Sequence, residues 1–149
     1  MPVTHKVSNL FPQELYKKQH DVENDSLVVC LMETGFVFDP ATHSVYADIS
    51  ADEIATGNGY TQATKAISTV AVTEDSNGDA LITADPVQWT ASGGSIPAQC
   101  AAVIINDTHA NKTILGCVEY GASYTTADGT IFEISFANGL FKGVPNPAA

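Results

Sequence analysis

The chain has 149 residues and a mass of 15.7 kDa, enough for one domain with a real core and too few for two. All 6 basic residues are lysines, there is no arginine, and 17 Asp plus Glu bring the net charge to −11. That field and the missing guanidinium fork exclude phosphate-clamping readers of DNA or RNA and argue against docking on anionic lipid.

A 44% apolar composition supports a core without disulfides or structural metal. No apolar run approaches the roughly 18 residues of a membrane span, and the first twenty residues lack the basic-then-apolar layout of a secretory signal, so synthesis in the cytoplasm is expected.

Residues 1–25 read as a polar N-terminal arm. Ser8 is the expected cap of a short helix, with Pro12 in its first turn and ELYKKQH following. From residue 26 to 144 short apolar segments alternate with turn residues, the habit of an all-β domain, and 145–149 read as a frayed tail. LVVCLME (27–33) is the first clear strand. The stretch 36–60 is a long irregular connection, with Asp39-Pro40 as a turn and Ser50 to Glu53 in the form of a capping box. Its length makes it one place to look for a contact surface.

Further strands are expected over 63–74, 80–85, 86–92, 96–107, 112–121 and 130–137, with a last short one at LFKGV. Asn77-Gly78 marks a hairpin whose two turn residues must accept positive φ. The longest apolar run, 96–107, is expected to be buried on both faces. In 130–137, Ile131, Glu133 and Ser135 alternate with Phe132, Ile134 and Phe136, predicting one wet and one packed face. The expected fold is mainly β, a single-domain antiparallel sandwich or jelly roll with a short N-terminal helix.

Chemistry-bearing motifs are weak. Asp75, Asn77 and Asp79 mimic half a calcium loop, but Ala80 stands where that loop needs Gly and Pro86 where it needs Glu, so the segment reads as a hairpin turn. Gly57-Asn58-Gly59 lacks the third glycine of a dinucleotide loop and reads as a sharp turn. His5, His20, His43 and His109 show no metal-ligand spacing and read as solvated. Cys30, Cys100 and Cys117 sit in apolar runs with no CxxC and read as small buried hydrophobes, although spacing alone leaves a pairing with His43 or His109 open. No G-x-S-x-G elbow or marked carboxylate pair occurs, and Trp89 reads as a core residue. No catalytic residue, metal or cofactor is expected.

The order of pieces carries a resemblance. Gln13-Glu14-Leu15 and His20-Asp21 lead into a strand; E-x-x-x-G-x-G-Y-T follows (Glu53 to Thr61), then D-P-x-x-W-T (Asp85 to Thr90), I-x-N-D-T (Ile104 to Thr108), N-K with an apolar strand (Asn111 to Gly121), and D-G-T-I-F-E-I-S-F. From about Gln13 to Leu140 this is similar to a family of small virion-associated proteins of tailed bacteriophages. The chain departs from that pattern at Gln62-Ala63-Thr64-Lys65, where relatives carry a Gly-Gly pair and a Lys, and at Gln99-Cys100, where they often carry an Arg.

The resemblance implies a non-enzymatic structural protein located in the virion, with a capsid decoration or cement subunit as first reading and a tail, neck or fibre structural or receptor-binding module as alternative. The implied partners are major capsid protein and further copies of the chain, as a homo-dimer or homo-trimer, with no nucleic acid and no membrane. Candidate partner-contact residues are Phe11, Leu15 and Tyr16 on the arm, and Phe36, Phe38 and Tyr46 on the long connection. For the alternative, Trp89, Tyr120 and Tyr124 are candidates for a carbohydrate-facing surface.

Overall fold

A computed structural model describes residues 4–136, 139 and 141–143; the expected tail over 145–149 lies outside them. The fold is mainly β and antiparallel, with one α-helix among the described residues. Its centre is three long strands: β2 (Leu27–Glu33), β7 (Ile96–Asn106) and β8 (Ile114–Thr126). With β1 (Thr4–Val7) and β3 (Lys65–Ala66) they make a five-stranded sheet in the order β1-β8-β7-β2-β3. Val29 pairs with Ile104 and Val103 with Cys117, so the apolar runs expected at 27–33 and 96–107 lie side by side.

Both faces of this sheet are covered, which is why its strands read as unbroken apolar runs. One face presents Val29, Leu31, Ile104, Leu115 and Val118. Against it sit Tyr60, the two-stranded sheet of β6 (Val87–Thr90) and β9 (Ile131–Ile134), and Phe136. The alternation expected over 131–136 holds, with Ile131, Glu133 and Ser135 exposed while Ile134 and Phe136 are buried. Trp89 is 2% exposed, a core residue as expected. The opposite face presents Cys30, Met32, Val103, Ile105 and Cys117, and its cover is the irregular 36–60 connection, which inserts Phe38 and Ile49. Burying each of these two side chains contributes about 1.5–3 kcal/mol, so the connection is a layer of the core.

The third sheet joins β4 (Ala71–Glu74), β5 (Ala80–Thr83) and β10 (Phe141–Gly143), the last within the expected LFKGV strand. The single strand expected over 63–74 is two, β3 and β4, parted by Thr69 at φ +56°. At the β4–β5 hairpin only Gly78 has positive φ. Asp75 makes up the rest, its carboxylate accepting from the backbone N–H groups of Asn77 and Asp79, so the loop closes through Asp75 and Gly78 rather than through paired positive-φ residues at 77 and 78.

The arm is docked. β1 pairs antiparallel with β8, from Thr4 opposite Glu119 to Val7 opposite Gly116. Helix α1 (Leu10–Tyr16) follows, with Asn9 at the N-cap position but making no side-chain cap bond, while Ser8 Oγ accepts from Leu10 N–H at 3.4 Å. Ser8 is fully buried and its N–H donates to Leu115 O at 3.0 Å, so its backbone continues the ladder while its hydroxyl meets the helix start. Phe11 and Val22 then enter the core. The Ser50–Glu53 capping box is not made either: Ser50–Asp52 is one 3-10 turn, and Glu53 is extended with its carboxylate turned inward.

Candidate functional site

Two buried polar clusters organise the molecule, and both are built from the motifs quoted above. The first ties the arm to the β7–β8 turn. Helix α1 brings Glu14, the following loop brings His20 and Asp25, the end of β7 brings Asn106, and the turn brings Thr108 and His109. Glu14 Oε2 lies 2.7 Å from His20 Nε2, and Asn106 Nδ2 lies 2.9 Å from His20 Nδ1 and 2.6 Å from Asp25 Oδ2. The His20 ring stacks on His109 with centroids 4.4 Å apart and meets Phe11 edge-on at 5.3 Å. His109 Nε2 faces Gln19 O at 2.6 Å, and Thr108 Oγ1 accepts from Ser26 N–H at 2.8 Å. His20 is 8% exposed, so the expectation of a solvated histidine is corrected at this position.

Glu14, His20 and His109 place one possible ligand atom each within 4.8 Å of one another, which raises the question of a metal. The hydrogen-bond inventory answers it. Asn106 Oδ1 accepts from Thr108 N–H at 3.0 Å and its Nδ2 donates to Asp25, so the amide can only donate to His20 Nδ1. Neutral His20 therefore carries its proton on Nε2 and gives it to Glu14. Metal on Nε2 would force the proton onto Nδ1, where it would face the amide N–H, donor against donor. The donor set does not fit a metal and forms a hydrogen-bond lock.

The second cluster centres on Glu53, 5% exposed between the main sheet and the long connection. Its carboxylate accepts from Tyr60 Oη at 2.5 Å, Tyr46 Oη at 2.6 Å and Ala63 N–H at 2.8 Å. Tyr60 Oη in turn accepts from Leu31 N–H of β2 at 2.9 Å. The Tyr60 ring lies 6.3 Å from Trp89, over which Lys65 Nζ sits at 5.9 Å. The E-x-x-x-G-x-G-Y-T and W-T motifs are thus two halves of one internal latch. Burial and Glu53 push the Tyr46 and Tyr60 hydroxyls far above the ordinary tyrosine range, keeping both as donors.

The thiols do not join either cluster as nucleophiles. Burial raises Cys30 and Cys117 well above the ordinary thiol value, with Glu53 adding to the effect at Cys30 and Glu119 at Cys117. Cys100, half-buried, donates to the carbonyls of Glu33 and Phe36. His43 Nδ1 accepts from Asp39 N–H and His109 Nδ1 faces Thr113 Oγ1 at 3.3 Å, so among the described residues neither imidazole bonds a cysteine.

Of the six residues expected to meet a partner, the fold divides the set. Phe11 and Phe38 are 4% and 1% exposed and serve the core, which removes them as contact residues. Phe36 and Tyr46 are half-buried against the second core face. Only Leu15 and Tyr16, 42% and 88% exposed, stand in solvent. Of the residues considered for a carbohydrate surface, Trp89 and Tyr120 are buried, and Tyr124 is half-exposed. Sequence reasoning missed the central roles of His20, Asn106 and Glu53. In comparisons with protein-family models, curated proteins and solved structures, nothing matches this chain.

Proposed function

We propose that this chain is a non-enzymatic structural subunit of a tailed-phage virion, a capsid decoration protein that binds assembled major capsid protein as a dimer or trimer. The observation that carries this reading is the setting of Tyr16. Phe11 anchors α1 in the core, so the helix holds Leu15 and Tyr16 outward at a fixed position on an acidic body of net charge −11. A pre-positioned aromatic side chain binds with little ordering cost, and rigid aromatic anchors dominate protein interfaces. Many weak contacts of this kind sum to strong attachment when copies share a lattice and closed symmetry. The motif order supports the same reading: Q-E-L, H-D and I-x-N-D-T meet in the first lock, and E-x-x-x-G-x-G-Y-T and D-P-x-x-W-T meet in the second.

Two measurements test it. The copy number of the chain in purified particles relative to major capsid protein should be one or a simple fraction; a few per cent would move it to the tail, neck or fibre, and absence would overturn the virion reading. Tyr16→Ala should lower affinity for assembled capsids by about tenfold or more while leaving the fold intact, as expected for loss of an interface hot spot. The same affinity for both proteins would remove α1 from the interface. Deleting residues 1–25 is a poor test, because β1, Phe11 and His20 belong to the fold itself.

A further inference from the structure

A pocket of about 300 Å³ opens between the β1–β8 edge of the main sheet and β9, and the proposed capsid contact through Leu15 and Tyr16 does not draw on its lining. Its walls include Tyr120 and Tyr124 from β8, Phe132 and Phe136 from the β9 segment, and His5 from β1. The rings are not stacked flat. Tyr124 and Phe132 each lie about 6 Å from Tyr120, at 6.0 and 5.9 Å, and are tilted from it by 59° and 54°. Three rings inclined in this way make a concave aromatic box, whose π faces carry partial negative charge. Tyr120 is more than nine-tenths buried and its hydroxyl has no hydrogen-bond partner among the described residues. Tyr124 is half exposed at the mouth, and Glu133, which accepts from Gln88 Nε2, forms part of the wall.

We infer that this box receives a basic side chain, the alkylammonium of Lys or the guanidinium of Arg, from a protein partner. Charge complementarity selects this occupant. The chain carries −11, has no arginine, and places its own Lys65 and Lys112 over Trp89 and Tyr46 at 5.9 and 5.6 Å, so cation-over-ring packing already occurs twice within it. A negative field draws cations toward the surface, and an anionic ligand would be repelled by it.

The test uses the intact protein and three soluble probes followed by NMR: Nα-acetyl-lysine methylamide, tetramethylammonium, and the neutral Nα-acetyl-norleucine methylamide. The two cations should shift the ring resonances of Tyr120, Tyr124 and Phe132 saturably, with the neutral probe at least about tenfold weaker, and the affinity should fall with added salt. Tyr124→Ala should weaken the cations several-fold while Tyr124→Phe keeps them bound; the site is half exposed, so neither change empties the core. Equal binding of neutral and cationic probes, shifts mapping elsewhere, no saturation, or indifference to Tyr124→Ala would each overturn the inference. None of these outcomes depends on whether the chain resides in a virion.

Discussion

A Cβ placed on Gly59 would lie 2.1 Å from the carbonyl oxygen of Thr90. The glycine of G-Y-T is therefore where the long connection passes against the end of β6, at φ +92°, and it delivers Tyr60 to Glu53 on one side and Trp89 on the other. Gly59→Ala should cost at least about 3 kcal/mol, since a backbone clash is added to an unfavourable φ. Gly35→Ala is the matched control. Its φ is +96° but a Cβ there meets nothing within 4 Å, so only the conformational penalty of about 1 kcal/mol applies. Urea unfolding of the pair checks this, and equal losses would mean that the close approach has no energetic weight.

Removing the acceptor at Glu53 strands three donors, the buried Tyr60 hydroxyl and the half-buried Tyr46 hydroxyl and Ala63 N–H. Glu53→Ala should destabilise by about 3 kcal/mol or more, whereas Glu53→Gln should cost clearly less, because an amide oxygen still accepts from Tyr60 and Ala63 and the Tyr46 hydroxyl can rotate to accept from the amide nitrogen. Thermal unfolding of both variants measures the difference. If Gln were as damaging as Ala, the acceptor role assigned to the carboxylate would be wrong.

Asn106→Ala should cost about 2–4 kcal/mol, because Asp25, His20 and Thr108 N–H all lose a partner at once. Its effect should be local first. Amide hydrogen exchange should rise in β1, α1 and the loop to Asp25 before it rises in β2 or β7, since the lock joins the arm to the turn. Uniform exchange across the sheet would argue against that role.

The pH dependence on the alkaline side follows from buried acids. Cys30, Cys117, Tyr46, Tyr60 and Tyr120 all have folded pKa values raised above their ordinary ones, by burial first and by Glu53 at Cys30, Tyr46 and Tyr60. A raised value means the unfolded chain releases its proton first. Stability is therefore fully present below the ordinary values of 9.0 for thiol and 10.0 for tyrosine, and declines as pH rises beyond them. Tyr60→Phe should lower stability at neutral pH yet make the alkaline decline shallower; circular dichroism between neutral pH and pH 12 distinguishes this from a uniform loss.

Much of the sheet was legible because its physics is local. LVVCLME is β2 residue for residue, and the alternation from Ile131 to Phe136 sorted wet from packed side chains, because period-two patterning records which face is covered. The split of 63–74 was not legible, since a backbone turn at Thr69 carries no compositional mark. Phe38 looked like a surface candidate because an irregular segment has no period by which to recognise a core face. The polar locks were hidden for a different reason. His20 and Asn106 are 86 positions apart, and nothing near either residue reveals the other.

Lys6 and Glu119, joined at 3.0 Å across the β1–β8 ladder, are 113 positions apart. β1 therefore cannot pair until β8 is in place, because the edge it completes belongs to that distant strand. Loop closure over that distance comes late and slowly. Until β1 docks, β8 keeps an open edge and α1 is unattached, so that stage of folding is when this protein is most exposed to mispairing with a neighbouring copy.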